Sequence, residues 1–229
     1  MPFFSACKVA INKDAWSDFN SFGFSLLINS GIKQGGVIVD VGANRGQWSV
    51  RANQFLSPST LHCFEPFPDT YSILKDRLSG LNEVIAYNIA LSDETGSKDF
   101  YVTVSDLCSS LMQPLEEMKG YYGEVIEYKE VTKVNVVRLD DIELPEEIDL
   151  VKIDVQGAEI GVINGALETL RKTKIVIIEA NFKPHYQGGS TFFDIHKKLT
   201  SIGFFLHCYG SGLSLNREIL WTDAVYLRR

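Results

Sequence analysis

Acidic and glycine residues form four short clusters, each placed where a strand pattern ends. The clusters are residues 40–46 (DVGANRG), 65–66 (EP), 88–93 (NIALSD) and 154–159 (DVQGAE). In doubly wound α/β folds, ligands bind in a crevice at the carboxyl ends of the strands. The four clusters therefore predict one ligand site at that edge of a sheet.

The first cluster predicts a tight turn that opens a helix and contacts a ligand. Gly42 and Gly46 suit a backbone with positive φ or the close approach of a ligand, and a helix start presents free N–H groups. The turn lacks the middle glycine of the dinucleotide fingerprint G-x-G-x-x-G. Asp40, at the strand end, would repel a pyrophosphate but suits a cationic aminoacyl sulfonium ligand.

The second and third clusters predict contacts to an adenosine group. Glu65 ends the next strand, 19 residues after Gly46, and an acid in this place accepts hydrogen bonds from ribose hydroxyls. NAD enzymes and methyltransferases share this feature, so Glu65 indicates adenosine rather than one reaction. The segment 88–93 follows the third strand, where this type of fold holds the adenine ring.

The fourth cluster predicts two carboxylates beside the same ligand. Asp154 ends a strand, and a glycine turn then leads into a helix that carries Glu159. Both acids are expected at the carboxyl edge of the sheet. For Glu159, charge complementarity with the start of its helix is an equally good explanation.

Strand and helix patterns alternate over most of the chain. Continuous apolar runs such as Val37–Val41 are typical of strands buried on both faces. This alternation predicts a parallel sheet with right-handed crossovers and helices on both faces. The predicted strands are 37–41, 61–65, 83–88, 148–154, 174–179, 204–208 and 221–227, and the predicted helices are 46–56, 69–78, 158–170 and 192–199.

Two segments beside the main pattern are rich in strand-forming residues. Residues 98–138 contain two β-rich stretches, 100–104 and 124–137, which predict a set of inserted strands. The two final strands are separated by a Gly/Ser/Asn segment and predict an antiparallel hairpin. We expect this whole α/β domain to extend over residues 37–229.

The N-terminal residues predict a helical cap over 1–36. Apolar residues recur at helical spacing within 14–30, after Asp14 as a helix N-cap. Packing against the sheet is favoured for this helix, because exposed apolar patches are uncommon. A contact in a homodimer is the alternative.

Composition limits the class of partner. The chain has 229 residues, a net charge of −7 and no block of lysine and arginine, which disfavours nucleic acid as a substrate. Its four cysteines lack a C-x-x-C pair, as is typical of reduced thiols in the cytoplasm. No stretch approaches the ~20 apolar residues of a membrane-spanning helix. A cytoplasmic location is therefore expected.

Six motifs, in order, resemble those of the FkbM family of methyltransferases. The resemblance runs from about residue 37 to 227 and ends in W-T-D-A-V-Y (221–226). Gln156 departs from the family pattern, in which an acid is frequent. The motifs are D-V-G-A-N-R-G (40–46), F-E-P (64–66), A-L-S-D (90–93), L-D-D-I (139–142), V-K-I-D-V-Q-G-A-E (151–159) and I-I-E-A-N-F (177–182).

The resemblance implies a class I, Rossmann-like methyltransferase fold, which is a doubly wound and mostly parallel sheet with a C-terminal antiparallel hairpin. It implies S-adenosyl-L-methionine as cofactor, S-adenosyl-L-homocysteine as product, and O-methylation of a sugar, glycolipid or natural-product hydroxyl. Asp154 is expected near the reacting methyl group. The cofactor contacts that the resemblance implies are Asp40, Gly42, Ala43, Asn44, Gly46, Glu65, Pro66, Ala90, Leu91, Ser92 and Asp154.

Methyl transfer from a sulfonium to an alcohol is an in-line displacement, so alignment supplies much of the acceleration. A base that removes the hydroxyl proton contributes about 10²–10⁴-fold. Asp154 is the favoured base, while His185 lies in a loop whose glycines suit a lid. All candidates for the base are Asp154, Glu159, Glu179, His185 and Asp223.

Two further features concern a metal and the acceptor. Asp154, Glu179 and Asn181 offer oxygen ligands for Mg²⁺, which makes a metal-assisted reaction an alternative, but the Glu-x-Asn spacing is not diagnostic and this alternative is disfavoured. Aromatic side chains in loops and at strand ends offer flat faces for a sugar, although packing under loops explains each of them equally well. These aromatic residues are Tyr121, Tyr122, Tyr186, Tyr209 and Trp221.

Three other functions remain as alternatives. An NAD-dependent oxidoreductase is disfavoured by the missing glycine, by Asp40 and by the absence of a Tyr-x-x-x-Lys pair. A non-catalytic module that binds an adenosyl ligand is disfavoured because Asp40, Glu65 and Asp154 are all present. RNA or protein methylation lacks the basic surface or the Asn-Pro-Pro-Tyr-like segment that it needs.

Overall fold

The computed structural model describes residues 23–27, 29–215 and 217–229, and in these ranges ten strands form two sheets. The strands are β1 (Val37–Val41), β2 (Thr60–Phe64), β3 (Val84–Tyr87), β4 (Ala90–Leu91), β5 (Gly96–Thr103), β6 (Tyr128–Val137), β7 (Ile148–Ile153), β8 (Thr173–Asn181), β9 (Phe204–Leu215) and β10 (Glu218–Arg228).

The central sheet has seven strands in the order β3-β2-β1-β7-β8-β10-β9. The neighbouring strands β3, β2, β1, β7 and β8 pair in parallel, whereas β10 runs antiparallel to both β8 and β9. The long β9–β10 pair is the predicted C-terminal hairpin. This topology confirms the doubly wound sheet with an antiparallel end.

Helices cover both faces of the central sheet, as alternate strand residues require. In β1, Ile38 packs into a cluster with the first two helices, and Val39 packs into a second cluster on the other face. This two-sided burial explains why the strands are continuous apolar runs. The helices are α1 (Gln47–Leu56), α2 (Pro68–Leu78), α3 (Lys119–Tyr122), α4 (Glu159–Asn164), α5 (Leu167–Arg171) and α6 (Phe192–Ser201).

The inserted strands form a small sheet of their own, in the order β4-β6-β5. Its core includes Phe100, Val102, Val134 and Val136. The predicted strand from residue 124 begins later, at Tyr128, because residues 123–126 form a 3₁₀ turn. Between β5 and β6, short turns carry the chain back toward the carboxyl edge of the central sheet.

The helix predicted over 158–170 is interrupted, and α4 and α5 replace it. Gly165 lies so close to the Ser92 carbonyl that a Cβ would come within 1.8 Å of the oxygen. The Asp140 carboxylate accepts hydrogen bonds from the backbone N–H groups of Glu168 and Thr169, and it thereby caps a new helix start. Helical spacing alone does not reveal either contact.

The helix predicted over 14–30 lies mostly outside the described residues, and the cap over 1–36 stays a prediction. The described part contains a 3₁₀ turn, Phe24–Leu27. Phe24 is buried and stacks on Trp48 with a centroid distance of 5.2 Å. This turn therefore packs on the face of the sheet that α1 covers.

The described cysteines are free thiols, and the described helices are short. Cys63, Cys108 and Cys208 are unpaired. Within the ranges that the structure describes, no helix has both the length and the apolar character needed to cross a membrane.

The contact at Gly165 yields a stability prediction. Gly165→Ala should lower the free energy of unfolding by about 3 kcal/mol, because the added methyl group overlaps the Ser92 carbonyl. Gly80→Ala is the matched control, since a Cβ at Gly80 meets nothing within 4 Å, and it should change stability by less than about 0.5 kcal/mol. Urea denaturation measures both variants. Equal stabilities would contradict the packing described here.

Candidate active site

A cleft opens at the carboxyl ends of β1, β2 and β7. Strand order reverses between β1 and β7, so the cleft lies at the switch point where doubly wound folds bind ligands. The lining includes Gly42, Asn44, Phe64, Glu65, Pro66, Phe67, Ile89, Ala90, Leu91, Phe100, Asp106, Leu107 and Asp154.

The loop after β1 forms one rim of this cleft. Gly42 has φ +79°, and a Cβ on it would come 1.9 Å from the Asp154 carbonyl oxygen. Gly46 has φ +80° and packs against Leu74. Both glycines therefore let the loop pass close to neighbouring elements, and the left-handed backbone also favours glycine. Ala43 is buried and does not line the cleft.

Asp40 lies beneath this loop rather than in the cleft. Its side chain is fully buried and accepts a hydrogen bond from the Ser49 hydroxyl (2.5 Å). Its other oxygen lies 3.5 Å from Lys152 Nζ. Burial raises the pKa of Asp40, although Lys152 and Ser49 oppose this shift. Asp40 thus supports the loop and adds negative charge below it.

Glu65 lies on the opposite rim and holds two backbone segments. Its carboxylate accepts hydrogen bonds from the Asn44 N–H (3.1 Å) and the Phe67 N–H (2.9 Å). Burial raises the pKa of Glu65 to about 7. Apolar side chains of Phe67, Ile89 and Phe100 continue the wall beyond Glu65. The cleft is polar at the Glu65 end and apolar at the other end, which suits a nucleoside.

The charged side chains that line the described cleft are all acidic: Glu65, Asp106 and Asp154. Asp106 forms an ion pair with Arg45 (2.6 Å), which itself does not line the cleft. Arg45 and Lys152 pair with Asp106 and Asp154 from outside the lining. The groups that face a ligand directly are nevertheless carboxyl groups, which suit a cation better than a pyrophosphate.

A second cavity of about 250 Å³ adjoins the first and shares Leu107, Asp154 and Gln156 with it. Three of the predicted aromatic residues line it, whereas Tyr121 and Tyr209 do not. Asp154 and Gln156 stand where the two cavities meet. The lining is Leu107, Cys108, Tyr122, Ile126, Asp154, Gln156, Glu179, His185, Tyr186 and Trp221.

Hydrogen bonds and an ion pair fix Asp154 at this junction. Lys152 Nζ lies 3.2 Å from Asp154 Oδ2, and Gln156 Nε2 donates to Asp154 Oδ1 (2.8 Å). Burial alone would lower the pKa of Lys152, but the carboxylates of Asp154 and Asp40 raise it, so Lys152 is a cation. Each Asp154 oxygen therefore has a donor.

Glu179 lies beside Asp154 in the second cavity. Gln156 Nε2 donates to Glu179 Oε1 (2.9 Å). Burial, followed by the charges of Asp154 and Asp223, raises the pKa of Glu179 well above the ordinary carboxyl value. The Gln156 amide occupies the space between the two carboxyl groups. Among the described residues, no three His, Cys, Asp or Glu side chains are arranged to hold a metal ion.

His185 lines the second cavity and is 4% exposed. Its Nδ1 lies 3.4 Å from the Tyr122 hydroxyl, and its Nε2 has no hydrogen-bond partner among the described groups. Burial, reinforced by the charge of Lys183, lowers the pKa of His185 to about 4. The imidazole is therefore neutral near pH 7. A backbone hydrogen bond holds the loop of His185 in place, because the Leu115 N–H donates to the His185 carbonyl.

Some of the predicted site residues do not border either of these two cavities. Glu159 is fully buried and accepts hydrogen bonds from the Gly157 N–H (2.9 Å) and the Ser190 hydroxyl (2.6 Å). Ser92 is buried and accepts a hydrogen bond from Lys98. This placement indicates that Glu159 stabilises the turn before α4, so we assign it no role in the chemistry.

Sequence reasoning missed several residues of the site. Phe67, Phe100 and Asp106 come from connecting or inserted segments, for which no periodic signal exists. Lys152 did carry a signal, since a lysine within a buried apolar strand needs an anionic partner. For Gln156, the sequence shows only a departure from the family pattern, whereas in the structure this residue lines both cavities.

A family model described as the methyltransferase FkbM domain matches residues 40–206. The chain belongs to the FkbM methyltransferase family. This match contains all the residues of the cleft rims and of the Asp154 network. It confirms the resemblance that the six sequence motifs indicated.

A similar curated protein is the 2-O-methyltransferase NoeI of Sinorhizobium fredii, which is 33% identical over 162 residues that cover 66% of each chain. Methyltransferase sdnD of Sordaria araneosa is 29% identical over 156 residues, or 57% of this chain and 60% of its own. The chain thus spans about two thirds or less of the curated relatives it matches.

Solved methyltransferases share the fold at low sequence identity. The magnesium protoporphyrin IX methyltransferase of Synechocystis, solved with bound SAM, has a TM-score of 0.52 at 12% identity, with 93% of this chain and 79% of that chain covered. A SAM-dependent methyltransferase of Aquifex aeolicus has a TM-score of 0.51 at 11% identity, with 97% of each chain covered. These likenesses confirm the class I methyltransferase fold.

The raised pKa of Glu179 predicts a pH dependence of stability. A carboxyl group whose pKa is higher in the folded state stabilises the protein at low pH, and this stabilisation is lost as pH rises above its ordinary value of 4.5. Glu179→Gln mimics the neutral acid, so its free energy of unfolding should fall less between pH 5 and pH 8 than that of the natural chain.

Urea denaturation at the two pH values measures this difference. Glu146→Gln is the matched control, because Glu146 is exposed, and its pH dependence should equal that of the natural chain. If Glu179→Gln also retained the natural pH dependence, Glu179 would be ionised in the folded protein.

Proposed function

We propose that this protein is an S-adenosylmethionine-dependent O-methyltransferase that acts on a hydroxyl group of a sugar or a sugar-like natural product. The observation that carries the proposal is the junction of two cavities at Asp154. One cavity has the position and charge that suit the cofactor, and the other has aromatic and polar walls that suit an acceptor.

The residues of the first cavity fit S-adenosylmethionine. Glu65 supplies carboxylate oxygens for ribose hydroxyls, and Phe67, Ile89 and Leu91 supply apolar surface for an adenine ring. Asn44 borders the cleft with a buried Oδ1 that has no partner among the described groups, which is costly unless a ligand donates to it. Acidic side chains suit the positively charged part of the cofactor.

Electrostatics favours this cofactor over a dinucleotide. A pyrophosphate carries negative charge and would face Glu65, Asp106 and Asp154 with no lining cation in the described cleft. When bound, S-adenosylmethionine supplies an electrophilic methyl group on a positively charged sulfur. The acids that line the cleft suit that charge.

Asp154 is the proposed general base. The acceptor hydroxyl gives its proton to the Asp154 carboxylate while its oxygen forms the new bond to the methyl carbon, and the electrons of the carbon–sulfur bond return to sulfur. Lys152 and Gln156 hold the carboxylate in place, so the base needs no reorientation. His185, which is neutral, is proposed to bind a second group of the acceptor through its free Nε2.

The second cavity supports a hydroxylated ring as the acceptor. Trp221 and Tyr122 present aromatic surface to it, and Glu179 and His185 present polar atoms. Aromatic faces pack on the C–H surface of sugar rings while polar side chains bind hydroxyl groups. The relative NoeI is a 2-O-methyltransferase, which supports transfer to oxygen here.

Loss of the Glu65 carboxylate should weaken cofactor binding. Glu65→Gln is expected to raise the Kd for S-adenosylhomocysteine about tenfold or more, because the amide offers one acceptor oxygen in place of the two of the carboxyl group. Glu146→Gln, on an exposed site, should bind like the natural chain. Isothermal titration calorimetry measures both, with NADH as a second ligand. Binding of NADH without S-adenosylhomocysteine would contradict the proposal.

Removal of the proposed base should slow methyl transfer. Asp154→Asn is expected to lower kcat by about 10²–10⁴-fold, while S-adenosylhomocysteine still binds. Asp99→Asn is the control, since Asp99 forms only an exposed ion pair with Lys133. The assay combines S-adenosylmethionine with a panel of methyl pyranosides and detects methylated product by mass spectrometry. An Asp154→Asn variant as fast as the natural chain would exclude Asp154 as the base.

A further inference from the structure

We propose that Gln156 is a positioning residue, whose neutral amide holds Asp154 and Glu179 in the orientation that methyl transfer requires. This inference rests on the proposed function. It concerns the position at which this chain departs from the acid that its family resemblance leads one to expect.

The side chain of Gln156 is anchored at every polar atom. Its Nε2 donates to Asp154 Oδ1 (2.8 Å) and Glu179 Oε1 (2.9 Å). Its Oε1 lies 2.9 Å from the Tyr186 hydroxyl, which also lies 2.9 Å from the Cys108 carbonyl. The Gln156 amide thus links the ends of β7 and β8, through Tyr186, to the segment between β5 and β6.

The backbone of Gln156 is held as firmly as its side chain. Its φ is +57°, in the left-handed region that costs a residue other than glycine about 1 kcal/mol or more. The Ser110 hydroxyl lies 2.8 Å from the Gln156 carbonyl and 3.2 Å from the Val155 carbonyl. Next to it, Gly157 leaves room for the Tyr186 ring, which a Cβ would approach to 2.8 Å. This unusual conformation aims the amide between the two acids.

Charge explains why an amide rather than an acid suits this place. Gln156 contacts two acids directly, and the cation Lys152 lies against one of them, Asp154. A carboxylate at 156 would bring a third acid into contact with Asp154 and Glu179 and would offer no N–H to either. The other acids that act electrostatically on Lys152 or Glu179 are Asp40 on β1, Glu159 on α4 and Asp223 on β10.

The amide also contacts two acids that lie in different surroundings. Asp154 lies beside Lys152 Nζ with one oxygen and accepts a hydrogen bond from Gln156 with the other. Among the hydrogen bonds described, Glu179 has only Gln156 as a partner, and burial raises the pKa of Glu179. Gln156 therefore lies between the proposed base and a carboxyl group that lines the second cavity, where that group can contact the acceptor.

Gln156→Glu tests the proposal, because glutamate has the same shape and lacks the two donor hydrogens. We expect kcat to fall at least tenfold and the acidic limb of the kcat–pH profile to move to higher pH. The control is Gln54→Glu, which adds the same charge at an exposed position and should leave both unchanged. A Gln156→Glu variant with the natural kcat and pH profile would overturn the proposal.

A second readout does not depend on turnover. The free energy of unfolding of Gln156→Glu should fall more steeply between pH 5 and pH 8 than that of the natural chain or of Gln54→Glu, because another acid must ionise in a buried, negative site. An equal slope in the three proteins would contradict contact of residue 156 with the two acids.

A third variant covers the case in which Gln156→Glu does not fold. Gln156→Asn keeps the amide and tolerates positive φ, but it is too short to span Asp154 and Glu179. It should lower kcat and keep the natural pH dependence of stability. Natural activity in Gln156→Asn would overturn the positioning role. Absence of methyl transfer by the natural chain would instead contradict the proposed function, while the stability measurements would still test Gln156.

Discussion

Two carboxyl groups share one buried lysine at the carboxyl edge of the central sheet, and the site depends on this arrangement. Lys152 lies 3.2 Å from Asp154 and 3.5 Å from Asp40. Removing charges from water is costly unless each is paired and hydrogen-bonded. The loop after β1, the turn after β7 and the end of β8 must therefore keep their positions relative to Lys152. The same excess of acid makes the cleft suitable for a cationic cofactor.

The segment between β5 and β6 completes the site from outside the regular α/β pattern. Leu107 lines both cavities, and the Cys108 carbonyl lies 2.9 Å from the Tyr186 hydroxyl. The central sheet thus holds the acids, while the inserted residues border both cavities. Residues of such a connecting segment can vary without change to the sheet that holds the acids.

Periodicity and strand-end residues were enough to predict the sheet, its hairpin and several of the residues that line the cleft. Continuous apolar strands and the acid after β2 have direct physical causes, namely burial on two faces and the switch point. The break at Gly165, the burial of Glu159 and the contacts of Gln156 depend on residues distant in sequence. No local pattern encodes such contacts, so they required the structure.

The location of the cofactor is the central claim, and amide hydrogen exchange measured with and without S-adenosylhomocysteine tests it most directly. Binding at the switch point should slow exchange in residues 42–46, 65–67 and 88–92, because these segments form the rims and floor of the cleft. Exchange near α6 should not change. Protection confined to α6 and the hairpin, or no protection under saturating ligand, would contradict the assignment of this cleft.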